Sequence, residues 1–223
     1  YWFEVREKYK SFLSDTWNPW LVCLAPLAMA LGEFLKVSRP VDRMLLSNVC
    51  ERMRIWKCWY PRLTMIRIEA ELLEHPIENA GKTCSFFSGG VDAFFTALYY
   101  DRTSDPLVRI PIEDLVNVWG FDIPLANAEA HEEIAKVFRR SAEDLGKELI
   151  EVATNLRETQ LEKKINWEYL NVSPALASVA LALEKRYKKA LISSAGGYLV
   201  LCPDGTSALL DPLSSTQRLQ VVH

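Results

Sequence analysis

From residue 82 onward, short apolar runs alternate with longer segments of helical length and spacing. The runs are rich in β-branched and aromatic residues and predict strands at 82–87, 115–121, 148–154 and 190–194, with 197–202 as a fifth. The segments between them predict helices at 92–101, 127–145 and 173–189. Strands separated by helices favour right-handed crossovers and a parallel sheet. We therefore expect an α/β fold, with a parallel sheet of about five strands and helices on both faces.

The helix at 127–145 has a defined start and one predicted buried face. Asn127 is a good N-cap, and glutamates follow it in the first turns, where the helix dipole favours negative charge. The residues expected on the apolar face are Ala130, Ile134, Val137, Phe138, Ser141 and Leu145.

The first eighty residues follow another pattern. Residues 64–72 alternate apolar with polar side chains, which predicts a half-exposed strand. Residues 20–32 are uncharged and predict a buried helix, since a membrane span needs about 20 apolar residues. The segment 74–82 contains Pro, Asn and Gly and suits a linker. We expect a small α+β unit at 1–80 and a second domain at 81–223.

Composition narrows the class of protein. Of 223 residues, 49% are hydrophobic, which excludes a disordered chain, and the net charge of −3 argues against a broad grip on duplex nucleic acid. The five cysteines form no C-x-x-C pair, so we expect reduced thiols and a cytoplasmic protein. Because the chain starts at Tyr1 and ends within a strand-like run, we expect a fragment whose second domain is truncated at its C-terminus.

The segment Ser88-Gly89-Gly90-Val91-Asp92 lies between the first predicted strand of the second domain and its helix. Glycines allow positive φ and close approach of the backbone to a ligand, and a helix N-terminus attracts anions. Ser88 adds a hydroxyl donor, and Asp92 is a candidate Mg²⁺ ligand. The alternative is a tight turn followed by a helix cap.

Residues that follow the other predicted strands share the same edge of a parallel sheet. Ligands of such sheets bind beyond the carboxyl ends of the strands. This predicts one crevice lined by residues 88–92, 120–122, 155 and 193–197. Ser193, Ser194, Asp211, Ser214 and Ser215 are equally good turn formers, so their role in binding stays open.

The segment resembles the PP-loop, Ser-Gly-Gly-x-Asp-Ser, of the ATP pyrophosphatases. Four of the five fixed positions match, and Ala93 stands where the family has Ser, whose hydroxyl would touch the phosphates. The resemblance covers residues 82–215 and is closest to the 7-cyano-7-deazaguanine synthase branch. There an aromatic-Asp pair ends the second strand, as Phe121 and Asp122 do here, and Pro203-Asp204 is a loose match to a later element. The branch's four-cysteine zinc site is lacking, so zinc is expected only if a cysteine cluster lies beyond His223.

The resemblance implies a HUP-type fold, ATP and Mg²⁺ as ligands, and activation of a carboxylate or carbonyl oxygen as an adenylate with release of pyrophosphate. Amide- or nitrile-type C–N bond formation would follow. The acid would be a small molecule or a protein terminus, and the protein a homodimer. Ser88 and Asp92 would be catalytic, with Asp92 on Mg²⁺. The implied ATP-binding residues are Ser88, Gly89, Gly90, Val91, Asp92, Ala93, Gly120, Phe121 and Asp122, with the adenine near the backbone of Gly120 and Phe121. The implied substrate-side residues are Asn155, Ser193, Ser194 and Asp211.

Several alternatives stay open. A nucleotide-binding sensor or assembly subunit without turnover fits Ala93, and an ATPase that releases orthophosphate is a third reading. Residues 52–62 interleave basic and aromatic side chains, as single-strand binders do, although an amphipathic segment with packed aromatics and solvated charges is favoured. His131-Glu132 is expected to be a solvated first helical turn. No membrane contact is expected.

Overall fold

The computed structural model describes residues 1–159, 163–193 and 203–223. The strands in these ranges are β1 (Phe3–Val5), β2 (Leu35–Lys36), β3 (Ile68–Glu69), β4 (Lys82–Phe86), β5 (Asp114–Trp119), β6 (Glu148–Thr154), β7 (Tyr187–Leu191) and β8 (Gln220–Val222). The main sheet has the order β1-β6-β5-β4-β7-β8. β1 is antiparallel to β6, and the other neighbours are parallel. The predicted α/β class and its mostly parallel sheet are confirmed.

Two details of the sheet differ from the prediction. An antiparallel edge strand, β1, comes from the N-terminus, and β8 is a parallel strand beyond β7. The run at 197–202 lies outside the described residues.

Helices cover both faces of the main sheet. They are α1 (Asn18–Leu31), α2 (Arg43–Trp59), α3 (Val91–Arg102), α4 (Ala128–Asp144) and α5 (Val172–Ala182), with a π-helical turn at Trp167–Asn171 and 3₁₀ turns at Glu7–Phe12 and Asp211–Ser214. One apolar cluster joins α3 and α4 to the sheet, and a second joins α1, α2 and α5 to it. Within the described ranges, no helix has the length and apolar character needed to cross a bilayer.

The first eighty residues pack closely against the rest of the chain. β1 lies in the main sheet, α1 packs on α5, and one core cluster contains residues from both sides of residue 80. The predicted strand at 64–72 is wrong in extent: only Ile68–Glu69 form a strand, and Leu72 makes a single bridge to Val41. The predicted boundary between the units 1–80 and 81–223 therefore rests on the sequence pattern alone.

The strand order reverses at β4. From β4 the chain adds β5 and then β6 on one side, and it returns to add β7 and β8 on the other side. In open parallel sheets the crevice at such a reversal, beyond the carboxyl ends of the strands, is the usual ligand site. The loop at 88–92 follows β4, and Ser193 follows β7, so both lie at this point.

Candidate functional site

The loop between β4 and α3 depends on Gly89. Its φ is 76°, in the left-handed region that favours glycine. A Cβ at this position would lie 2.4 Å from Cε1 of Phe138 in α4, so the loop backbone packs directly on that ring. Gly90 has a φ of −76°, and a Cβ there would meet only the Ser88 hydroxyl at 3.5 Å. The backbone conformation and the packing on Phe138 therefore both require glycine at position 89. At position 90 the absence of a side chain leaves the N-terminus of α3 accessible.

The N-terminus of α3 presents free backbone donors. Gly90 is its N-cap and supplies no side-chain cap, and the first helical hydrogen bond runs from the Phe94 N–H to the Gly90 carbonyl at 3.1 Å. Helix geometry therefore leaves the N–H groups of Val91, Asp92 and Ala93 without an intrahelical acceptor. Ser88, Gly90, Val91 and Asp92 are exposed. The arrangement has the donors and the open access of an anion site.

Asn117 of β5 fixes the start of the loop. Its Nδ2 donates to the Phe87 carbonyl at 3.0 Å, while the Phe87 N–H donates to the Val116 carbonyl at 2.8 Å. The Phe87 ring packs edge-on against Phe94 and Phe138. Sequence reasoning missed Asn117, although a lone amide within an apolar strand was a usable signal.

Ala93 is a packing residue. It is 3% exposed and belongs to the apolar cluster beneath α3 and α4. Its backbone N–H lies in the first turn of α3, but its side chain is enclosed by that cluster. A hydroxyl at position 93 would therefore enter an apolar environment, in contrast to the expected contact with phosphates.

A hydroxyl pair links α3 to the end of β7. The Ser193 and Thr96 hydroxyls are 2.9 Å apart, and Thr96 is buried one helical turn after Ala93. Thr96 was not predicted; its signal was a hydroxyl on an otherwise apolar helix face. Ser194 lies outside the described residues.

The loop after β5 is a tight turn. Gly120 has a φ of 100°, and a Cβ there would lie 2.0 Å from the Thr154 carbonyl oxygen. Its N–H donates to the Ile123 carbonyl at 3.1 Å. Phe121 is buried against Trp167, and its carbonyl accepts a hydrogen bond from Arg157 at 2.8 Å. Two of the backbone groups expected near adenine are thus engaged within the protein, whereas the Asp122 side chain is exposed.

Asn155 and Asp211 have structural partners. The Asn155 Oδ1 accepts the Trp2 N–H at 3.1 Å, which ties the N-terminus to the end of β6. Asp211 is fully buried; its Oδ1 accepts the Ser173 hydroxyl at 2.6 Å, and its Oδ2 lies 2.8 Å from Nδ1 of His223. Asp211 therefore lies within the core, bound to α5 and to the residue that follows β8.

The aromatic residues of the basic and aromatic segment at 52–62 are packed, whereas most of its basic residues are exposed. Arg52 and Trp56 are each 1% exposed, and Arg52 donates to Ser214 at 2.6 Å. Burial lowers the pKa of Arg52 to about 10, although the negative charge of Asp211 acts in the opposite direction. Lys57 donates to the carbonyls of Pro61 and Leu63 at 2.8 Å. Packing of the aromatics matches the favoured reading, but Arg52, expected to be solvated, is buried.

His131 and Glu132 have partners other than a metal. The His131 ring stacks on Trp119, with centroids 4.3 Å apart, and Glu132 pairs with Arg139 at 2.7 Å. Burial lowers the pKa of His131, with nearby glutamates acting against it. In the ranges that the structure describes, no group of three or more His, Cys, Asp or Glu residues is arranged to hold a metal ion.

Comparison of the chain with protein-family models, curated proteins and solved structures found no match in any of the three.

Proposed function

We propose that this protein binds ATP through the loop at 88–92 and uses it to adenylate an acid, with release of pyrophosphate. The observation that carries the proposal is the position of the loop. It joins β4, at the reversal of strand order, to a helix whose first N–H groups are free and face an open surface. The PP-loop pattern adds Ser88 and Asp92 on either side of the glycines.

The proposed binding mode uses groups of this chain. The N–H groups of Val91, Asp92 and Ala93 would donate to the β- and γ-phosphate oxygens, and Ser88 would add its hydroxyl. The α3 dipole favours negative charge at the same place. Because the side chain of Ala93 is enclosed, only its N–H takes part. The adenine would lie toward the turn at 120–122, along the same edge of the sheet.

Asp92 suits the metal that such a reaction uses. It is exposed beside the free N–H groups, and Mg²⁺ commonly binds one or two carboxylates together with substrate phosphates. When bound, Mg²⁺ would share the charge of the phosphates. We propose no zinc site among the residues that the structure describes.

The proposed reaction has two steps. A carboxylate or carbonyl oxygen of the substrate attacks the α-phosphorus of ATP, and the bond to the bridging oxygen breaks as pyrophosphate leaves. An amine or ammonia then attacks the activated carbon, forms the C–N bond and releases AMP. The loop would stabilise the leaving pyrophosphate by charge and position, so no side-chain nucleophile is needed. We further propose that the acid is a small molecule or a protein terminus, that the protein forms a homodimer and that it is cytoplasmic.

The test is a product analysis with Mg²⁺, candidate acids, and ATP labelled at the α- or γ-phosphate. AMP with pyrophosphate is the expected result. ADP with orthophosphate would identify an ATPase and contradict the proposal. Tight binding without products would identify a nucleotide-binding subunit without turnover. The control is Gly90→Glu, which sets a negative charge in an exposed loop position and should abolish product formation without unfolding the protein.

A further inference from the structure

The solvent-facing side of α3 is mostly apolar between the charged residues near its two ends. Val91 is 84% exposed, Phe95 58% and Tyr99 45%, and the half-buried Leu98 lies beside them. These four residues, here the α3 stripe, follow the spacing of one helix face, while Ala93, Thr96 and Ala97 cover the opposite, buried face. A helix on the surface of a monomer normally carries polar residues on this side. The α3 stripe is therefore an unpartnered surface.

The α3 stripe contains both a projection and a groove. The Phe95 and Tyr99 rings stack at 5.0 Å with an angle of 11° between their planes, and together they form a ridge. A groove of about 530 Å³ lies beside it, lined by Phe95, Leu98, Tyr99, Arg102, Thr103 and Ser104. An isologous interface uses the same patch on both copies, and here the ridge of each copy can fill the groove of the other.

The charges at the ends of α3 favour a second copy in antiparallel orientation. Asp92 lies at the N-terminal end and Arg102 at the C-terminal end, both exposed and about 15 Å apart along the helix axis. In the described ranges, neither side chain makes an ion pair within its own chain. A twofold axis across the middle of α3 brings Asp92 of each copy to Arg102 of the other. The same orientation pairs opposite ends of the two helix dipoles.

We propose that the α3 stripe is a homodimer interface in which α3 packs antiparallel against α3 of a second copy. The proposal specifies the interface of the homodimer named above and does not need bound ATP, although Val91 and Asp92 also belong to the proposed ATP site. A helix of 12 residues is about 18 Å long, which offers less area than a typical stable interface of about 800 Å² per partner. The dimer is therefore a concentration-dependent one.

Sedimentation equilibrium over a wide range of protein concentration tests the interface. The mass of the unaltered protein should rise from 25.5 kDa toward twice that value as concentration increases. Phe95→Glu should weaken the dimer roughly tenfold or more, as loss of a central aromatic contact does. The matched control is Phe34→Glu, since Phe34 is 61% exposed but lies outside α3 and should leave the dimer unchanged. Circular dichroism confirms that both variants are folded.

Charge reversal tests the orientation. Arg102→Glu should weaken the dimer by placing two acids together, and Asp92→Lys combined with Arg102→Glu should restore it. A protein that stays monomeric at every concentration overturns the proposal, whatever else it binds. So does a dimer that Phe95→Glu leaves intact or that Phe34→Glu disrupts equally. Failure of the double variant to restore the dimer overturns the antiparallel arrangement.

Discussion

A Cβ atom on Gly89 would lie 2.4 Å from Cε1 of Phe138, closer than any side chain can approach an aromatic ring without displacing it. Gly89 also has a φ of 76°. The loop at the end of β4 is thus held against α4 by a contact that only glycine permits. Gly90, one residue later, has an ordinary φ and an open surrounding.

Gly89→Ala should therefore destabilise the protein and distort the loop. We expect a loss of roughly 1–3 kcal/mol from the left-handed backbone alone, with more from the contact with Phe138. Gly90→Ala is the matched control and should cost less than Gly89→Ala, because Gly90 has an ordinary φ and only the Ser88 hydroxyl nearby. Urea unfolding of both variants measures the difference. Equal stability of the two variants would contradict the role assigned to Gly89.

Ala93→Ser should not increase turnover. The side chain at 93 is enclosed by the apolar cluster of α3 and α4, so an added hydroxyl would be desolvated and would not reach the open loop. We expect a loss of about 1 kcal/mol or more in stability and unchanged ATP affinity. Thermal unfolding and product formation are the measurements. A clear gain in product formation would show that the hydroxyl reaches the phosphates.

Thr96 and Ser193 should be coupled energetically. Their hydroxyls are 2.9 Å apart and join α3 to the end of β7 beside the proposed site. A double-mutant cycle with Thr96→Val and Ser193→Ala should give a coupling of roughly 1 kcal/mol in unfolding. Additive effects of the two substitutions would mean that the hydrogen bond does not stabilise the crevice.

The contribution of Glu148 to the stability of the protein should be lost in acid. Burial alone would raise its pKa, but hydrogen bonds from Tyr9 and Lys8 and the charge of Arg186 outweigh burial and lower the pKa to about 2, from 4.5. A depressed acid pKa adds stability above pH 4.5, and this contribution is lost as the pH falls from 4.5 to about 2.

Glu148→Gln is the test of this dependence. It should reduce stability at neutral pH and flatten the decline in stability between pH 4.5 and 2, as measured by urea unfolding at each pH. The control is Glu7→Gln, which removes an exposed carboxylate near Lys10. The same acid decline in Glu148→Gln as in the unaltered protein would contradict the assignment.

Local pattern was sufficient for the strands and helices around the proposed site. The predicted strand at 148–154 has the bounds of β6, and the predicted helix at 92–101 differs from α3 by one residue at each end. These elements are apolar, short and bounded by turn residues, so their own sequence determines them. The loop at 88–92 was found for the same reason.

Elements that depend on distant partners were not predictable. β1 has three residues and exists as a strand because it pairs with β6, some 150 residues later. The predicted helix at 173–189 ends at Ala182, and the strand predicted at 190–194 is β7, which begins at Tyr187, where the chain pairs with β4. On α4, Ile134 and Val137 are exposed, while the small Ala135 and Ala142 are buried. Their burial follows from how closely α4 approaches the sheet, which the pattern along the helix does not encode.

The affinity for Mg²⁺-ATP, measured by titration calorimetry on the unaltered protein and on Gly90→Glu, tests the central claim most directly. We expect the unaltered protein to bind Mg²⁺-ATP and the variant to bind it about tenfold or more weakly, a difference of about 1.4 kcal/mol. The reason is that a carboxylate at position 90 repels the phosphates at the free N–H groups of α3. Equal affinity in the two folded proteins would contradict the assignment of the loop at 88–92 as the phosphate site.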